Sequence, residues 1–389
     1  MKLPIYLDHH ATTPCDPRVL EAMQPYFCEV FGNPSSRSHA FGRAAEDAVQ
    51  YARQQVAALI GAKPAEIIFT SSATEANNLA LRGAAAFRRE AGGGEHIVSL
   101  VTEHKSVLEP LRLLEREGFR VTWIPVDGDG LVDLDAVAAA LTPATIVVSA
   151  MLANNEIGTI QPVARIAALA RQVGAWVHTD AVQAAGKLPM RVDDLDVDLL
   201  SLSGHKFYAP KGTGALYVRS APRRVRLAPA IVGGGQERGL RAGTHNVPGI
   251  VGFGAAATIA VTEAETESER TADLRDRLEA GLLHAIDGLL VNGSRAQRLP
   301  NNLNVSVPGV DGEALLLSLH DIAISSGSAC RSAAPGGSHV MKAIGRDDEL
   351  ARSSIRFGLG RWTTEAEIDY AIGRVAETVT RLRAMSALA

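Results

Sequence analysis

Short apolar runs rich in valine and isoleucine alternate with longer stretches of helical periodicity in the first part of the chain. The runs occupy residues 66–70, 97–101, 121–125, 146–151, 176–179 and 199–202. Runs of this length that are mostly apolar are typical of strands covered on both faces. Strands that alternate with helices predict a mostly parallel sheet between helical layers, so we expect an α/β fold.

The pattern changes beyond residue 258. Residues 259–286 are charged and helical, with Leu274, Leu278 and Leu282 on the apolar side. Strand-like runs follow at 303–307, 322–324 and 354–357, with helical patterns at 313–319 and from the capping box of Thr364 and Glu367 toward Met385. A chain of 389 residues also exceeds what one core usually supports. We therefore predict a large domain at 16–260 and a small α+β domain formed by 1–15 and 261–389.

Most of the apolar runs end in polar loops. The loops occupy residues 71–75, 102–104, 154–156 and 180–183. Because ligands of open α/β sheets bind at the carboxyl ends of the strands, we expect the functional site at this edge. The segment 127–130, Asp-Gly-Asp-Gly, lacks the later ligands of a calcium loop and predicts a tight turn.

Composition excludes several classes of protein. The formal net charge is −4, and lysine and arginine form no long run, which argues against a nucleic-acid or membrane surface. Three cysteines, Cys15, Cys28 and Cys330, are too few and too scattered for a disulfide framework or a multi-cysteine metal site. Residues 1–8 hold no apolar leader, and no uninterrupted apolar run reaches the roughly 18 residues of a membrane helix. We expect a cytoplasmic protein with small soluble partners.

Lys206 and Asp180 form the strongest chemical signal. Lys206 lies in a Ser-Gly-His-Lys turn directly after the run 199–202, and Asp180 closes the run 176–179. Pyridoxal phosphate needs a lysine amine for its aldehyde and a carboxylate against its pyridine nitrogen. A carboxylate at a strand end is costly to bury unless a cation such as a pyridinium pairs with it. The alternatives are a surface lysine and a helix-capping aspartate.

Four further residues suit the same cofactor. Thr74 precedes the helical pattern at 76–87, and a helix amino terminus binds anions such as phosphate. Ser203 and His205 offer a hydroxyl and an imidazole beside Lys206. His104 could stack on a planar ring and exchange protons near neutrality. A helix cap for Thr74 and a structural histidine for His104 stay open.

Cys330 and Arg356 indicate chemistry on a sulfur-containing amino acid. Cys330 follows Ser-Ser-Gly-Ser-Ala, a context without bulky apolar neighbours, where a thiolate nucleophile could move. Arg356 is flanked by apolar residues in a strand pattern, which suits bidentate binding of a substrate carboxylate. An inert core cysteine and an internal salt bridge are the alternatives.

Ordered motifs extend over nearly the whole chain. They are Tyr-Leu-Asp at 6–8, Ala-Thr-Thr-Pro at 11–14, Phe-Gly-Asn-Pro-Ser-Ser at 31–36, Ala-Thr-Glu at 73–75, Thr-Glu-His at 102–104, Asn-Asn-Glu at 154–156, Asp-Ala-Val-Gln at 180–183, Ser-Gly-His-Lys at 203–206, Arg-Ala-Gly-Thr at 241–244, Ser-Ser-Gly-Ser-Ala-Cys at 325–330 and Ser-Ile-Arg-Phe at 354–357. In these motifs the chain resembles the class V aminotransferase-fold cysteine desulfurases, the group with the housekeeping iron–sulfur and nitrogenase-associated enzymes.

The resemblance implies fold type I of the pyridoxal-phosphate-dependent transferases, with a mostly parallel seven-stranded sheet in the large domain. It implies that Lys206 binds the cofactor aldehyde, Asp180 faces the pyridine nitrogen and His104 stacks on the ring. By the same resemblance Gln183 and Asn155 contact the ring substituents, and the phosphate ligands are Ala73, Thr74, Ser203 and His205. Thr244 would reach the phosphate of the other subunit, which implies a homodimer.

The implied reaction converts L-cysteine to L-alanine. Arg356, with Asn155 nearby, would bind the carboxylate, Lys206 would move the α-proton, and His104 would donate or accept a proton. Cys330 would take the sulfur as a persulfide for a sulfur-acceptor protein, such as an iron–sulfur scaffold or a tRNA-thiolation relay. A selenocysteine lyase of the same fold and a catalytically silent adaptor for sulfur acceptors are the alternatives.

The chain departs from the family pattern at a few positions. Ser72 stands where a glycine is common, and Arg331 replaces the usual small hydroxyl residue after the nucleophile. The segment 334–337 is less acidic than is usual, and the sequence ends soon after its last helical pattern. We expect these differences to bear on the phosphate loop and on docking of the sulfur acceptor.

Overall fold

The computed structural model describes residues 2–326 and 337–386. Its helices are α1 (Pro17–Met23), α2 (Pro25–Cys28), α3 (Ala40–Leu59), α4 (Ala73–Glu90), α5 (Lys105–Arg116), α6 (Leu134–Ala140), α7 (Val163–Gln172), α8 (Val247–Ala285), α9 (Gly312–Ser318), α10 (His339–Ala343), α11 (Asp348–Arg352) and α12 (Glu365–Ser386). Its strands are β1 (Ile5–Tyr6), β2 (Ile67–Thr70), β3 (His96–Leu100), β4 (Arg120–Ile124), β5 (Thr145–Ser149), β6 (Trp176–Asp180), β7 (Leu199–Ser203), β8 (Gly214–Val218), β9 (Leu290–Val291), β10 (Asn302–Ser306), β11 (Ile322–Ala323) and β12 (Ser354–Gly358).

Seven strands form the main sheet, in the order β2-β8-β7-β6-β5-β3-β4. The neighbours from β7 to β4 pair in parallel, whereas β8 runs antiparallel to both β2 and β7. Successive side chains point to opposite faces, so Ile67 and Phe69 face one core and Ile68 faces the other. One core packs against α1, α3, α7 and the start of α8, and the other packs against α4 and α5. The predicted α/β fold is confirmed.

All six runs predicted as strands lie in this sheet, with ends shifted by one or two residues. Strand β8 was not predicted. It begins at Gly214, where an added Cβ would lie 2.6 Å from the main-chain carbon of Ser72. The close approach of two backbones explains why a glycine opens a strand here. Residues 127–130 form the predicted tight turn, in which Gly130 N donates to Asp127 O at 2.9 Å.

A second, smaller core lies around the antiparallel sheet β9-β10-β12 and the parallel pair β1-β11. It combines Ile5 and Leu7 from the amino-terminal segment with apolar residues of α8, α9 and α12. Thr364 and Glu367 form the predicted capping box at α12. The assignment of residues 1–15 and 261–389 to one domain stays a proposal, since α8 runs without a break through residue 260.

Helix α8 is longer than predicted, because the charged stretch 259–286 is the second part of a helix that begins at Val247. In the described part of the chain this helix is long and apolar enough to span a membrane by length and composition, with a mean hydropathy of 1.4 over 18 residues. Half of that stretch is buried in the protein, where Phe253, Ala256 and Ala257 pack into the large core. This burial is the pattern of a core helix.

Candidate active site

A pocket lies at the carboxyl ends of the strands of the main sheet. It is lined by Ser72, Ala73, Thr74, His104, Ser106, Met151, Asn155, Asp180, Val182, Gln183, Ser203, His205 and Lys206. We call it the Lys206 pocket. The structure thus brings together the residues expected to bind the cofactor, apart from Thr244.

The amino terminus of α4 opens into the Lys206 pocket. Ser72 caps the helix, because its Oγ accepts a hydrogen bond from Glu75 N at 3.3 Å. The next two main-chain amides, of Ala73 and Thr74, belong to the first turn and have no carbonyl acceptor within the helix. A helix of 18 residues therefore directs amide donors and its positive dipole end at this wall. Ser72 keeps these donors in place where the family pattern has a glycine.

Asp180 ends β6 at the base of the pocket, and its residue is only 5% exposed. Its Oδ2 accepts a hydrogen bond from Asn77 Nδ2 at 2.8 Å, and its Oδ1 accepts one from Val182 N at 3.0 Å. Both donors are neutral, and within the described residues the carboxylate forms no ion pair. The buried negative charge is therefore available to a cation inside the pocket.

Lys206 lies in a single 3₁₀ turn after β7. Its Nζ donates to the carbonyl oxygens of His10 and Ala11, at 2.6 and 2.7 Å. Burial and, after it, the charges of Arg356 and Lys187 lower the pKa of Lys206 to about 7, against the opposing charges of Asp8 and Asp180. An amine with this pKa is about half neutral at pH 7, and the neutral amine is the form that attacks an aldehyde.

His104 is held by a short chain of polar contacts. Its Nδ1 lies 2.8 Å from Ser106 Oγ, and Asn77 Nδ2 donates to the same oxygen at 2.8 Å. Burial lowers the pKa of His104, with Asp180 opposing and Lys206 adding to the effect. The imidazole is therefore neutral at pH 7 and able to lie against an aromatic ring.

Glu103 is fully buried beside His104. Its Oε1 accepts a hydrogen bond from Met151 N at 2.6 Å, which ties the loops after β3 and β5 together. Burial, together with the charge of Asp180, raises the pKa of Glu103 well above its ordinary value. The surroundings of Glu103 thus favour its uncharged form beside Asp180.

Gln183 and the amino-terminal segment close one side of the pocket. The Gln183 Oε1 lies 2.9 Å from His10 Nδ1, and its Nε2 donates to His10 O at 3.0 Å. His205 Nδ1 lies 3.0 Å from Thr12 Oγ1. Burial and the neighbouring lysines, Lys206 foremost, lower the pKa of His205 to about 4. The imidazole of His205 is therefore neutral at pH 7 and has one N–H to donate.

Arg356 approaches from β12 of the small sheet and is 1% exposed. Its Nη1 donates to Asn155 O at 2.7 Å, and its Nη2 donates to Asp8 Oδ1 at 2.8 Å. Since Asn155 lines the Lys206 pocket, the guanidinium lies next to the pocket wall. Nε of Arg356 has no hydrogen-bond partner in the described part of the chain. Asn155 lies beside Arg356, as expected, and contacts it through its main-chain oxygen.

Among the described residues, the expected site residues Thr244 and Arg356 do not line the pocket. Thr244 is exposed on the segment that leads into α8. Cys330 and Arg331 lie outside the described residues. The described chain stops at Ser326, one residue after Ser325, whose Oγ donates to Asp8 Oδ2 at 2.8 Å. It resumes at Gly337, and the next residue, Ser338, donates to the Glu156 carboxylate.

Sequence reasoning missed the residues that hold the site together. Asn77 and Ser106 lie on helices α4 and α5, and Asp8 and His10 belong to the amino-terminal segment. Asn77 was detectable in principle, since it lies one helical turn after Ala73 and so shares the pocket-facing side of α4. Asp8 and His10 are far from their partners in sequence, so only the tertiary fold reveals them.

A family model described as Aminotransferase class-V matches residues 5–371. The chain belongs to the class-V aminotransferase family. A relative named Cysteine desulfurase IscS, from Anaeromyxobacter sp. (strain Fw109-5), is 56% identical over 388 residues, which cover 100% of this chain and 95% of the relative. A solved structure titled NifS-like protein is 40% identical with a TM-score of 0.90, covering 97% of this chain and 100% of its own. A solved structure titled SspA in complex with cysteine is 37% identical with a TM-score of 0.80, covering 92% and 100%.

The class-V aminotransferase family depends on pyridoxal phosphate, and the Lys206 pocket fits this cofactor on three grounds. The buried Asp180 carboxylate faces neutral donors and suits a pyridinium. The first amides of α4 suit a phosphate. A lysine amine whose pKa is about 7 lies in the same pocket. The residues present therefore match both ends of the cofactor and its aldehyde.

Proposed function

We infer that this protein is a pyridoxal-phosphate-dependent cysteine desulfurase, which converts L-cysteine to L-alanine and transfers the sulfur to a cysteine of the protein for iron–sulfur cluster assembly. The observation that carries the inference is one pocket with Lys206 and Asp180 inside it and Arg356 against its wall. This set provides an amine for an aldehyde, a partner for a ring cation and a partner for an amino-acid carboxylate. The full-length similarity to IscS supports the same reaction.

We propose that different residues of this chain bind different parts of the cofactor. Lys206 binds the aldehyde, Asp180 pairs with the pyridine nitrogen, and His104 lies against the ring. Gln183 and Asn155 contact the ring substituents. The phosphate ligands are Ala73, Thr74, Ser203 and His205, with Thr244 contributed by a second copy. When bound, pyridoxal phosphate supplies an electron sink that weakens the bonds around the substrate α- and β-carbons.

The protein residues then bind the substrate and move its protons and sulfur. Arg356 binds the cysteine carboxylate beside Asn155, and the neutral Lys206 amine takes the α-proton. The Cys330 thiolate attacks the substrate sulfur, so a sulfur–sulfur bond forms as the carbon–sulfur bond breaks. The electron pair of the broken bond stays on the β-carbon, and protons delivered with the help of His104 complete L-alanine. The persulfide on Cys330 contains the transferred sulfur, and no external oxidant or reductant enters the balance.

The positions of Ser325 and Ser338 support a role for Cys330. Both ends of the intervening segment lie beside the carboxylate site, since Ser325 donates to Asp8 and pairs with Arg356 across a β-bridge. At the other end Ser338 donates to Glu156, the neighbour of Asn155. A chain of this length spans up to about 3.3 Å per residue when extended, so a thiol between these two points has the reach to meet the substrate sulfur.

Two substitutions test the proposed function. The Lys206→Ala variant should lose the visible absorption of the bound cofactor and all alanine formation. The Cys330→Ser variant should keep that absorption and lose sulfur transfer, because only the sulfur acceptor is removed. A Cys28→Ser variant removes an exposed thiol and is the matched control for loss of a cysteine. Full sulfur transfer by the Cys330→Ser protein would contradict the mechanism.

We also propose that the protein is a homodimer, because Thr244 of a second copy is proposed to contribute to the phosphate site. Large apolar side chains are exposed in the described part of the chain, among them Phe27 at 58%, Phe31 at 65% and Val232 at 79%. Such side chains are typical of an interface that a second copy covers. Sedimentation of the purified protein should give twice the monomer mass. A Thr244→Ala variant should remain dimeric and bind pyridoxal phosphate more weakly.

We further propose a cytoplasmic location and a protein acceptor for the sulfur. Cys15 and Cys28 are unpaired in the structure, as a reducing compartment favours. Cell fractionation followed by detection of the protein tests the location. Trapping the Cys330 persulfide on a cysteine of its acceptor, followed by mass spectrometry, identifies that acceptor. Recovery of an iron–sulfur scaffold supports cluster assembly, whereas recovery of a tRNA-thiolation relay assigns the sulfur to that pathway.

A further inference from the structure

Lys187 is a half-buried lysine with no role in the mechanism above, yet it contacts two of its residues. It follows Gln183 by four positions in the turns after β6. Its Nζ donates to Lys206 O at 3.1 Å and to Gln183 O at 3.2 Å. One ammonium group thus holds the main chain of the lysine proposed to bind the aldehyde and of a glutamine proposed to contact the ring.

The charge of Lys187 is poorly compensated. Within the described residues the ammonium forms no ion pair. Glu267 lies close enough to act on it, but its Oε1 accepts from Tyr208 Oη at 2.8 Å and its Oε2 accepts from Arg361 Nε at 2.8 Å. Burial lowers the pKa of Lys187 to about 8, against the opposing effect of Glu267. An ammonium is costly to place here without a carboxylate, unless its charge or its hydrogen bonds serve the site.

We propose that Lys187 is a positioning residue: it fixes the main chain of Lys206 and Gln183, and its charge favours the neutral form of the Lys206 nitrogen. The inference rests on the proposed function, because it concerns the lysine that binds the aldehyde. A second cation near a lysine amine disfavours protonation of that amine. The same two hydrogen bonds keep Lys206 at a fixed distance from Gln183 while its side chain changes partners.

Other charged groups also act on the Lys206 amine, and the test has to separate them from Lys187. Arg356, Asp8 and Asp180 act on it directly, and His104 and His205 are neighbours whose own pKa values are lowered in part by Lys206. His10 and His9 lie nearby and are neutral, since burial lowers the pKa of both. The charge of Lys187 also lowers the pKa values of His9, His10 and His205, and its loss lets these three values rise. The side chains of Arg356, Asp8 and Asp180 stay in place when Lys187 alone is substituted.

The test is a pH titration of the visible absorption of the holoenzyme, which follows the protonation of the Lys206 nitrogen. In Lys187→Met the midpoint should rise by about one pH unit, because a nearby positive charge is lost. Lys187→Arg keeps the charge and should titrate within about 0.3 of the unsubstituted protein. Lys187→Gln keeps a donor without the charge and should follow Lys187→Met, and it serves if the methionine variant does not fold.

Lys211→Met is the matched control, because Lys211 is an exposed lysine of the same region whose charge acts on His205 but is not among the charges that shift the pKa of Lys206. Its midpoint should stay unchanged. An unshifted midpoint in both Lys187→Met and Lys187→Gln would overturn the inference and leave the proposed function intact. The same is true of an equal shift in Lys187→Arg. A holoenzyme that forms no visible chromophore with pyridoxal phosphate would instead refute the proposed function.

Discussion

The two halves of the site are built in different ways. On the cofactor side, Asp180 and His104 are both fixed through Asn77 and Ser106, which lie on helices packed against the main sheet. On the carboxylate side, Arg356 comes from the small sheet and is held by Asp8 and Asn155. One half is thus preorganised by a single packed layer, and the other forms where three separate segments meet.

The two halves also differ in whether their buried charge already has a partner of opposite charge. Asp180 is a buried anion that accepts hydrogen bonds only from neutral donors in the described residues. It gains a partner of opposite charge only when a cation binds in the pocket. Arg356 is a buried cation already paired with Asp8 at 2.8 Å. A substrate carboxylate therefore has to share or displace an existing partner. From the roles proposed for Asp180 and Arg356, we expect the cofactor to be held tightly and the substrate carboxylate to exchange readily.

The largest effect is expected on the cofactor side, from Asp180→Asn. The amide would retain the shape of the carboxylate but place its NH2 against one of the two donors, Asn77 Nδ2 or Val182 N, and it would no longer favour a protonated pyridine nitrogen. We expect kcat to fall on the order of 10³-fold, with weaker cofactor retention. The measurements are steady-state alanine formation and bound cofactor per protein. Asp129→Asn, at an exposed turn, is the control and should behave as the unsubstituted protein. A variant with unchanged kcat would show that Asp180 is not the partner of the ring.

On the carboxylate side, Arg356→Lys should weaken binding of the substrate and leave binding of the cofactor unchanged. Lysine retains the charge but loses the planar pair of donors, so KM for cysteine should rise on the order of 10²-fold. The visible absorption of the cofactor should stay the same, because lysine retains the positive charge that acts on the Lys206 amine. Arg352→Lys, at an exposed position, is the matched control. Loss of cofactor together with the rise in KM would contradict the view that Arg356 binds the substrate without holding the cofactor.

The sequence predicted that Asp180, His104 and Lys206 lie together, as they do in the Lys206 pocket, because these residues follow apolar strands directly. Asp180, His104 and Lys206 each lie at or just after the end of a strand, and parallel strands place such ends at one edge. Asp8 and His10 could not be predicted to contact Arg356 and Gln183, since those contacts join residues 348 and 173 positions apart. The raised pKa of Glu103 also depends on burial, which a sequence pattern does not show. The proposed role of Cys330 rests on the sequence and on the contacts of Ser325 and Ser338.

Glu237 extends the comparison to the segment that leads to Thr244. Its carboxylate accepts two hydrogen bonds from Arg53, at 2.7 and 2.8 Å, and one from His245 at 2.6 Å. Burial would raise the pKa of Glu237, but these partners and Phe69 N lower it to about 2. Unlike Asp180, this buried anion is fully paired. It anchors the segment before α8 to α3 and β2 whether or not a ligand is bound.

Pairing of Glu237 gives a pH dependence of stability with a definite sign. The lowered pKa contributes stability above the ordinary glutamate pKa, and this contribution is lost as the pH falls toward 2. The free energy of unfolding of the unsubstituted protein, measured relative to that of Glu237→Gln, should fall by about 1 kcal/mol between about pH 6 and about pH 3.5. Urea unfolding followed by tryptophan fluorescence at both pH values measures the difference. Glu109→Gln removes an exposed ion pair with Arg112, and its difference in stability from the unsubstituted protein should be the same at both pH values. A gap between the proteins that stays constant with pH would contradict the pairing.

The smallest effect is expected at Ser72, the position where the family pattern has a glycine. The Ser72 hydroxyl caps α4 through Glu75 N, whereas the phosphate donors proposed here are main-chain amides of Ala73 and Thr74. Because glycine is itself a good N-cap residue, Ser72→Gly should cost only a few tenths of a kcal/mol of stability. Cofactor affinity should change by less than about twofold, since the amides remain. Equilibrium binding of pyridoxal phosphate to the apoprotein measures it, with Thr74→Ala, which removes a hydroxyl at the pocket wall, as the comparison variant. A large loss of affinity in Ser72→Gly would mean that the serine hydroxyl itself binds the phosphate, so the cofactor side would depend on a side chain and not on the main chain of α4.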